Sequence, residues 1–169
     1  MNIFILLPLL YVIFKKIGYR KAVKLFEVNG LKVYVIASNE VNAFVDGKKL
    51  FITRGALNLS DDEIEVLLSH ELSHVVLHHS RFNILLTFLI LFTVSVIAQF
   101  SLFLSFLVLL LSLFIQRHIR RRQEVEADRL ASLVVGKERL ASLIRKYDNP
   151  NSSLLSTHPP LSERLRVLS

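Results

Sequence analysis

The sequence predicts a mainly helical α+β fold, with a small antiparallel sheet near its beginning and transmembrane helices in addition to the folded domain. Residues 23–53 contain two pairs of β-rich runs, each interrupted by a two-residue turn, which is the pattern of β-hairpins. Residues 82–116 contain no Asp, Glu, Lys, Arg or His across 35 positions, well beyond the roughly 18 apolar residues that mark a transmembrane helix. Helix caps and helical spacing account for most of the remaining sequence.

The first 16 residues are predicted to form a short membrane anchor before a single domain at 17–169, which the apolar segment at 82–116 interrupts. Residues 1–14 are uncharged, but at about 1.5 Å per residue they reach only about 21 Å, less than the roughly 30 Å of a bilayer core. They lack the basic start and the cleavage site of a secretory signal peptide. The length of this anchor leaves open whether it spans the membrane fully.

Local signals define the elements of the domain. Turns at Asn29-Gly30 and Asp46-Gly47 predict two hairpins. Ser60, followed three residues later by Glu63, forms a capping-box pattern, so a helix is expected from near residue 61 to about residue 80. Further helices are predicted over 120–135 with an end near Gly136, over 137–146, and from Ser162.

The apolar segment at 82–116 is predicted to cross the membrane twice. One helix of that length would measure about 52 Å, whereas two halves would measure about 26 Å each against a core of about 30 Å, so length alone leaves the number of helices open. The more polar residues 98–101, of sequence AQFS, are the natural place for a turn. Basic residues flank the hairpin at Arg81 and at 117–122, which by the positive-inside rule places both ends in the cytoplasm.

The net charge of +7 is explained by membrane flanks rather than by nucleic-acid binding, because the basic residues cluster beside the apolar segments. They occupy positions 15, 16, 20, 21 and 24 after the first segment, and 117 and 120–122 after the second. No nucleic-acid partner is therefore expected. The chain contains no cysteine, which excludes disulfides and thiolate metal ligands.

The segment HELSH on the first predicted helix matches the pattern H-E-x-x-H. Histidines four residues apart lie on one helical face, so His70 and His74 can bind one zinc ion. Glu71, about 100° round the helix, can take a proton from water at the open position of the metal and pass it to a leaving amine. The alternative is a helix with incidental histidines, which the capped helical context disfavours. His78 and His79 are expected to cap the helix end or face the membrane boundary, since His78 lies about 6 Å beyond His74.

A catalytic zinc ion needs a third protein ligand, and the best candidate lies in the segment QEVEAD after the apolar region. Glu124 and Asp128 are four residues apart and can face the histidine helix together. Glu124 could then bind the metal while Asp128 holds the second ring nitrogen of a ligand histidine, and Glu126 would point elsewhere. The alternative is a solvated, charged helix face. If His74 and Glu124 share one ion, the chain must cross the membrane an even number of times between them.

Four segments in this order resemble the HtpX and CAAX prenyl protease family of membrane zinc metallopeptidases, which is of the gluzincin type. They are VNAF at 41–44, SDDEIEVLLSHELSHVVLHHS at 60–80, RRRQEVEADRLA at 120–131 and THPPLSERLRVL at 157–168. The resemblance implies a zincin-like metalloprotease domain that binds one Zn²⁺ per chain through His70, His74 and Glu124. It also implies that Glu71 is the general base and that Asp128 supports the site.

By the same resemblance, Asn42, Ala43 and Phe44 belong to an edge strand to which a substrate backbone can add. His158 is implied to approach the cleft and to steady the tetrahedral oxyanion, with a structural turn before two prolines as the alternative. Arg164 is implied to be a further residue near the site. The chain departs from the family at Ser73, where relatives commonly have glycine, and in its reduced amino-terminal membrane region.

Together these features predict an integral cell-membrane zinc endopeptidase whose active site faces the cytoplasm. The resemblance implies that its substrates are membrane or misfolded proteins, and membrane lipid is the other expected partner. One alternative is a non-catalytic membrane scaffold or chaperone stabilised by zinc. Another is a basic membrane adaptor without a metal.

Overall fold

The computed structural model describes residues 22–28, 30–147 and 159–168; the predicted amino-terminal anchor lies outside them. Its four strands are β1 (Val23–Val28), β2 (Leu31–Ile36), β3 (Ala43–Asp46) and β4 (Lys49–Thr53). Its α-helices are α1 (Asp61–Val76), α2 (His79–Ile97), α3 (Leu102–Val135), α4 (Lys137–Tyr147) and α5 (Leu161–Leu168). The predicted fold class, mainly helical with a small sheet and two long apolar helices, is confirmed.

The sheet has the strand order β1-β2-β4-β3. Both predicted hairpins are present, with Gly30 and Gly47 at positive φ in their turns, the conformation that glycine adopts without steric cost. However, β2 and β4 pair in parallel, so the sheet is mixed and the expectation of a wholly antiparallel sheet is wrong. Hairpin signals specify only the pairs within each hairpin, and they leave open how one hairpin joins the next.

Backbone contacts at the strand ends fix the parallel pair. Beyond β4, Arg54 N–H donates to the carbonyl of Ile36 at 3.0 Å and Gly55 N–H donates to that of Ser38 at 2.9 Å. A Cβ atom at Gly55 would collide with the backbone oxygens of Asn39 and Glu40. Glycine is therefore needed here for close approach of two chain segments rather than for a special φ. The junction leaves β3 at the edge of the sheet.

One face of the sheet packs on α1. The buried apolar residues of this core are Val33, Ala43, Leu50 and Ile52 of the sheet and Ala56 and Leu59 of the segment after β4, against which Ile64, Leu67 and Leu68 of α1 are packed. A second core joins α1 to α3, α4 and α5 through Val66, Ala131, Val135, Leu140, Ala141, Ile144 and Leu168. Helix α1 is thus held between the sheet and helices α3, α4 and α5, which fixes the orientation of the helix.

Helix α1 begins as predicted and ends earlier than predicted. The capping box is formed, with Glu63 N–H donating to Ser60 Oγ at 3.3 Å and Ser60 N–H donating to Glu63 Oε2 at 3.1 Å. The helix ends at Val76, and His78 adopts a left-handed conformation with φ of 57°. The expectation of one helix to about residue 80 is wrong, because a left-handed residue breaks the helical hydrogen-bond series. A new helix, α2, starts at His79.

Helices α2 and α3 form the apolar hairpin, and the predicted turn at 98–101 is confirmed. Ser101 caps α3 by accepting a hydrogen bond from Leu104 N–H at 3.2 Å. Both helices are long and apolar enough to cross a membrane, and only 11% of the most apolar stretch of each is buried. Such exposure of phenylalanine and leucine is opposite to what a soluble core helix shows.

Helix α3 is a single helix of 34 residues, about 51 Å long at about 1.5 Å per residue. The second half of the apolar segment at 82–116 and the segment at 120–135 were expected as separate helices, but together they form one uninterrupted helix. It ends at Val135 before Gly136, as predicted, and the shorter helices α4 and α5 also lie where the sequence predicted them. Because α3 is continuous, residues 124–128 continue the same helix beyond its apolar part, and the position of that part also sets theirs.

Candidate metal centre

The candidate metal centre lies where α1 packs against α3. Small residues make this approach possible, because Ala127 and Ala131 of α3 have no exposed surface and Ser73 of α1 is buried. The hydroxyl of Ser73 donates to the carbonyl of Ser69 on its own helix at 2.8 Å. Ser73 therefore buries no unsatisfied hydroxyl.

Three predicted ligands, His70, His74 and Glu124, come together at this contact. The two Nε2 atoms lie 3.2 Å apart, and the carboxylate of Glu124 lies 3.5 Å from that of His70 and 3.6 Å from that of His74. One ligand atom from each residue lies within 4.8 Å of the others. Two imidazoles and one carboxylate are a donor set that suits catalytic zinc, with a position left for water or substrate.

Behind His70 lies a buried ion pair between Asp128 and Arg164. Asp128 accepts hydrogen bonds from Arg164 Nε at 2.8 Å and from Arg164 Nη2 at 2.7 Å. Its Oδ1 atom also lies 3.0 Å from His70 Nδ1, at an angle outside hydrogen-bond geometry. Asp128 thus faces the ring nitrogen of His70 that is turned away from His74 and Glu124, and Arg164 neutralises the carboxylate.

The carboxylates give the centre a preference for positive charge. Burial acts to lower the pKa of His70, but its contacts with Asp128 and Glu124 outweigh burial and raise that pKa to about 10. Burial lowers the pKa of His74 to about 4, against the attraction of Glu124. One ring therefore holds a proton and the other is neutral. A cation between these groups is favoured, either a proton or a metal ion.

A cleft of about 390 Å³ opens beside these residues. Glu71, half-buried and adjacent to His70, lines it. The residues expected to bind substrate, Asn42, Ala43 and Phe44, line the same cleft. The geometry therefore places a carboxylate, the candidate ligands and a strand edge around one open space.

Sequence reasoning missed two residues of this centre, His79 and Glu126. His79 is buried, with its Nδ1 atom 2.9 Å from His74 Nδ1 and its Nε2 atom 3.3 Å from Glu126 Oε2. The expectation that His79 caps the helix or faces the membrane boundary is wrong, because the break at His78 turns α2 back towards the site. His78 does lie at the helix end, without a side-chain capping bond. The predicted oxyanion residue, His158, lies outside the described residues.

Comparison with known proteins agrees with this picture. The model of peptidase family M48 matches residues 15–169. Protease HtpX homolog of Campylobacter curvus is 28% identical over 166 residues, covering 82% of this chain and 58% of the relative. Protease HtpX of Vibrio parahaemolyticus is 25% identical over 185 residues, covering 80% and 64%. The chain thus spans about three-fifths of the length of these curated relatives.

The fold is also similar to that of a solved structure, Ste24p of S. mikatae. The TM-score is 0.61 at 22% sequence identity, and the match covers 98% of this chain and 55% of the other. At this identity the likeness concerns the fold. Since the family model matches more than nine-tenths of the sequence, the chain belongs to peptidase family M48.

Proposed function

We propose that this protein is a membrane-embedded zinc endopeptidase that hydrolyses peptide bonds of membrane or misfolded proteins. The observation that carries the proposal is the convergence of His70, His74 and Glu124 within 4.8 Å, beside a cleft that Glu71 lines. Membership of a peptidase family supports the same reaction class.

The side chains of this chain have separate tasks in the proposed reaction. His70, His74 and Glu124 would hold the zinc ion, which when bound supplies a Lewis acid that lowers the pKa of water to about 7 and polarises a carbonyl. Glu71 accepts one proton from the attacking water as the C–O bond forms. It then delivers that proton to the leaving amine nitrogen as the C–N bond breaks. Asp128 orients the ring of His70 by its contact with the Nδ1 atom of that ring.

The scaffold alternative is less well supported by the shape of the site. Structural zinc sites are closed by four protein ligands, whereas catalytic sites keep one position open. The group found within the described part of the chain has three members, and it borders a cleft of about 390 Å³. An accessible metal position favours hydrolysis.

Chelation tests the proposed function. We expect the detergent-purified protein to cleave unfolded casein, to lose that activity when a zinc chelator is added in excess, and to regain it with Zn²⁺. Mg²⁺ added in place of Zn²⁺ serves as the control and should not restore cleavage, because Mg²⁺ prefers oxygen ligands in octahedral geometry. Cleavage that persists after complete removal of zinc would refute a zinc-dependent reaction.

Strand β3 supports a way of binding the substrate. Among the strands in the described residues it pairs with β4 alone, and it lines the cleft through Ala43, Phe44 and Val45. Its start is held in place because Asn42 N–H donates to Thr53 Oγ1 at 2.9 Å and Thr53 N–H donates to the Asn42 carbonyl at 3.0 Å. We propose that an extended substrate adds to this edge through main-chain hydrogen bonds.

Backbone methylation of a peptide substrate tests strand addition. Methyl groups on alternate amide nitrogens facing β3 should raise KM by about tenfold for each hydrogen bond lost, which corresponds to about 1–1.5 kcal/mol. The same peptide methylated on the intervening nitrogens is the control. Equal KM values for the two peptides would contradict pairing with the edge strand.

The apolar hairpin supports an orientation in the membrane. Arg81 precedes the apolar part of α2, and Arg117, Arg120, Arg121 and Arg122 follow that of α3. We propose that α2 and α3 span the bilayer as a hairpin and that the basic flanks keep the metal centre on the cytoplasmic side.

Cysteine labelling tests the orientation, because the chain has no cysteine of its own. Gln99→Cys places a thiol in the exposed turn between the helices, and Glu138→Cys places one on exposed α4 as the matched control. In sealed vesicles of cytoplasmic-side-out orientation, an impermeant maleimide should label the Glu138→Cys protein and leave the Gln99→Cys protein unlabelled until detergent is added. Labelling of both variants from one side would refute the hairpin.

A further inference from the structure

We infer that His79 is a positioning residue that fixes the tautomer and ring orientation of His74 for metal binding. This inference rests on the proposed zinc site and extends it to a residue outside the H-E-x-x-H pattern. It concerns three side chains in a row, His74, His79 and Glu126, which come from three different helices.

The contacts form a chain that leads away from the metal centre. His74 directs Nε2 towards His70 and Glu124, at 3.2 and 3.6 Å. Its other ring nitrogen, Nδ1, lies 2.9 Å from Nδ1 of His79. His79 in turn has Nε2 at 3.3 Å from Glu126 Oε2. The side chain of His79 is 7% exposed and that of Glu126 is 57% exposed. This series of side-chain contacts therefore runs from the buried centre to the surface.

Only one assignment of protons satisfies both contacts while leaving His74 free to bind a metal. A metal-binding Nε2 must be unprotonated, so the proton of the neutral His74 ring is on Nδ1. That N–H donates to Nδ1 of His79, which must therefore be an acceptor. The proton of His79 then lies on Nε2 and is donated to the carboxylate of Glu126. The acceptor role of His79 thus selects the tautomer of His74 that the site requires.

The break in the helix makes this contact possible. On a continuous helix His79, five residues beyond His74, would lie about 140° round the axis and about 7.5 Å further along. The left-handed conformation of His78, with φ of 57°, ends α1 and starts α2 in a new direction. The two imidazole rings then meet edge to face, with ring centroids 5.0 Å apart. Left-handed backbone is uncommon for residues other than glycine, and here it serves to return a side chain to the centre.

His70 and His74 therefore contact different kinds of residue through their Nδ1 atoms. His70 faces the fully buried carboxylate of Asp128, which Arg164 holds, whereas His74 faces the ring of His79, whose own acceptor, Glu126, is largely exposed. Water can replace the exposed carboxylate of Glu126 but has little access to the buried position between the rings. Loss of His79 should consequently weaken zinc binding more than loss of Glu126.

Zinc affinity, measured by competition with a chromophoric chelator, tests this role without relying on activity. His79→Ala and His79→Leu remove the acceptor, and Leu retains much of the side-chain volume. Both should lower zinc affinity by about 10- to 100-fold, the usual effect of losing such an outer partner. His79→Asn carries an oxygen one bond beyond Cγ, where histidine has Nδ1, and should keep affinity within about threefold of wild type. His78→Asn is the matched control. Asparagine tolerates the left-handed backbone of this position, so this variant should bind zinc like wild type.

Comparison of the Leu and Asn variants of His79 separates the effect of the lost hydrogen bond from the effect of lost packing. Wild-type affinity in the folded Leu variant would overturn the inference, and so would equal losses in the Asn and Leu variants. Thermal unfolding of each metal-free variant shows which variants are folded. If the Ala variant does not fold, the zinc affinities of the Leu and Asn variants alone test the role of His79. A wild-type protein that binds no zinc would instead refute the proposed function, which distinguishes that failure from an incorrect role for His79.

Discussion

Glu71→Gln should abolish peptide hydrolysis while leaving the zinc content of the protein unchanged. Glutamine has nearly the same shape as glutamate but cannot accept a proton, so the attacking water loses its base. General-base catalysis contributes about 10²- to 10⁴-fold, and we therefore expect kcat to fall by at least about 100-fold. The proposed zinc ligands are other residues, His70, His74 and Glu124, so the variant should still bind the metal.

The measurement is the initial rate of casein cleavage by equal amounts of detergent-purified wild-type and variant protein. Glu65→Gln is a matched control, because it makes the same chemical change on the same helix at an exposed position that pairs with Arg139. Its rate should equal that of wild type. Cleavage by the Glu71→Gln protein at more than about a tenth of the wild-type rate would be incompatible with Glu71 as the base.

Arg164→Met should destabilise the protein by about 3–5 kcal/mol, because it removes from the buried carboxylate of Asp128 the guanidinium that contacts both of its oxygens. Asp128 has no exposed surface, and Arg164 contacts both of its oxygens. Since Asp128 also faces Nδ1 of His70, zinc affinity should fall together with stability. Methionine preserves much of the apolar volume of arginine, so the effect reports the lost charge rather than a large cavity.

Denaturant unfolding of the metal-free proteins in detergent measures the change in the free energy of unfolding. Arg139→Met is the control, since Arg139 forms half-exposed ion pairs with Asp62 and Glu65, and it should cost less than about 1 kcal/mol. Adding Asp128→Asn to Arg164→Met should recover part of the loss, because an amide carries no unpaired charge. A loss no larger than that of Arg139→Met would show that the buried pair is unimportant for stability.

The parts of the fold that depend on neighbouring residues were predictable from the sequence. Two-residue turns gave both hairpins, the Ser60 capping box gave the start of α1, and the polar residues at 98–101 gave the turn of the apolar hairpin. Each of these signals is a preference of the backbone over a few residues. The spacing of H-E-x-x-H is local in the same way, and it identified the two histidines that the structure brings together.

The rest depended on contacts between distant segments. The parallel pairing of β2 with β4 is fixed by the close passage of Gly55 past the loop before β3. The continuity of α3 was hidden because a change from apolar to basic residues looks like a boundary, although the backbone of the helix does not change there. His79 was expected to cap the helix end or face the membrane boundary because the helix was taken to continue to about residue 80. The left-handed residue that ends it is a histidine, His78, rather than the glycine or asparagine that usually adopts this conformation.

Metal analysis of the purified protein tests the central claim most directly, that His70, His74 and Glu124 form one zinc site. Elemental mass spectrometry should find about one zinc per chain in wild type and in Glu71→Gln. Glu124→Ala, which removes a ligand, should retain much less than one after dialysis against a weak chelator. Stoichiometric zinc that is unaffected by Glu124→Ala, or a folded wild-type protein that takes up no zinc, would contradict the account.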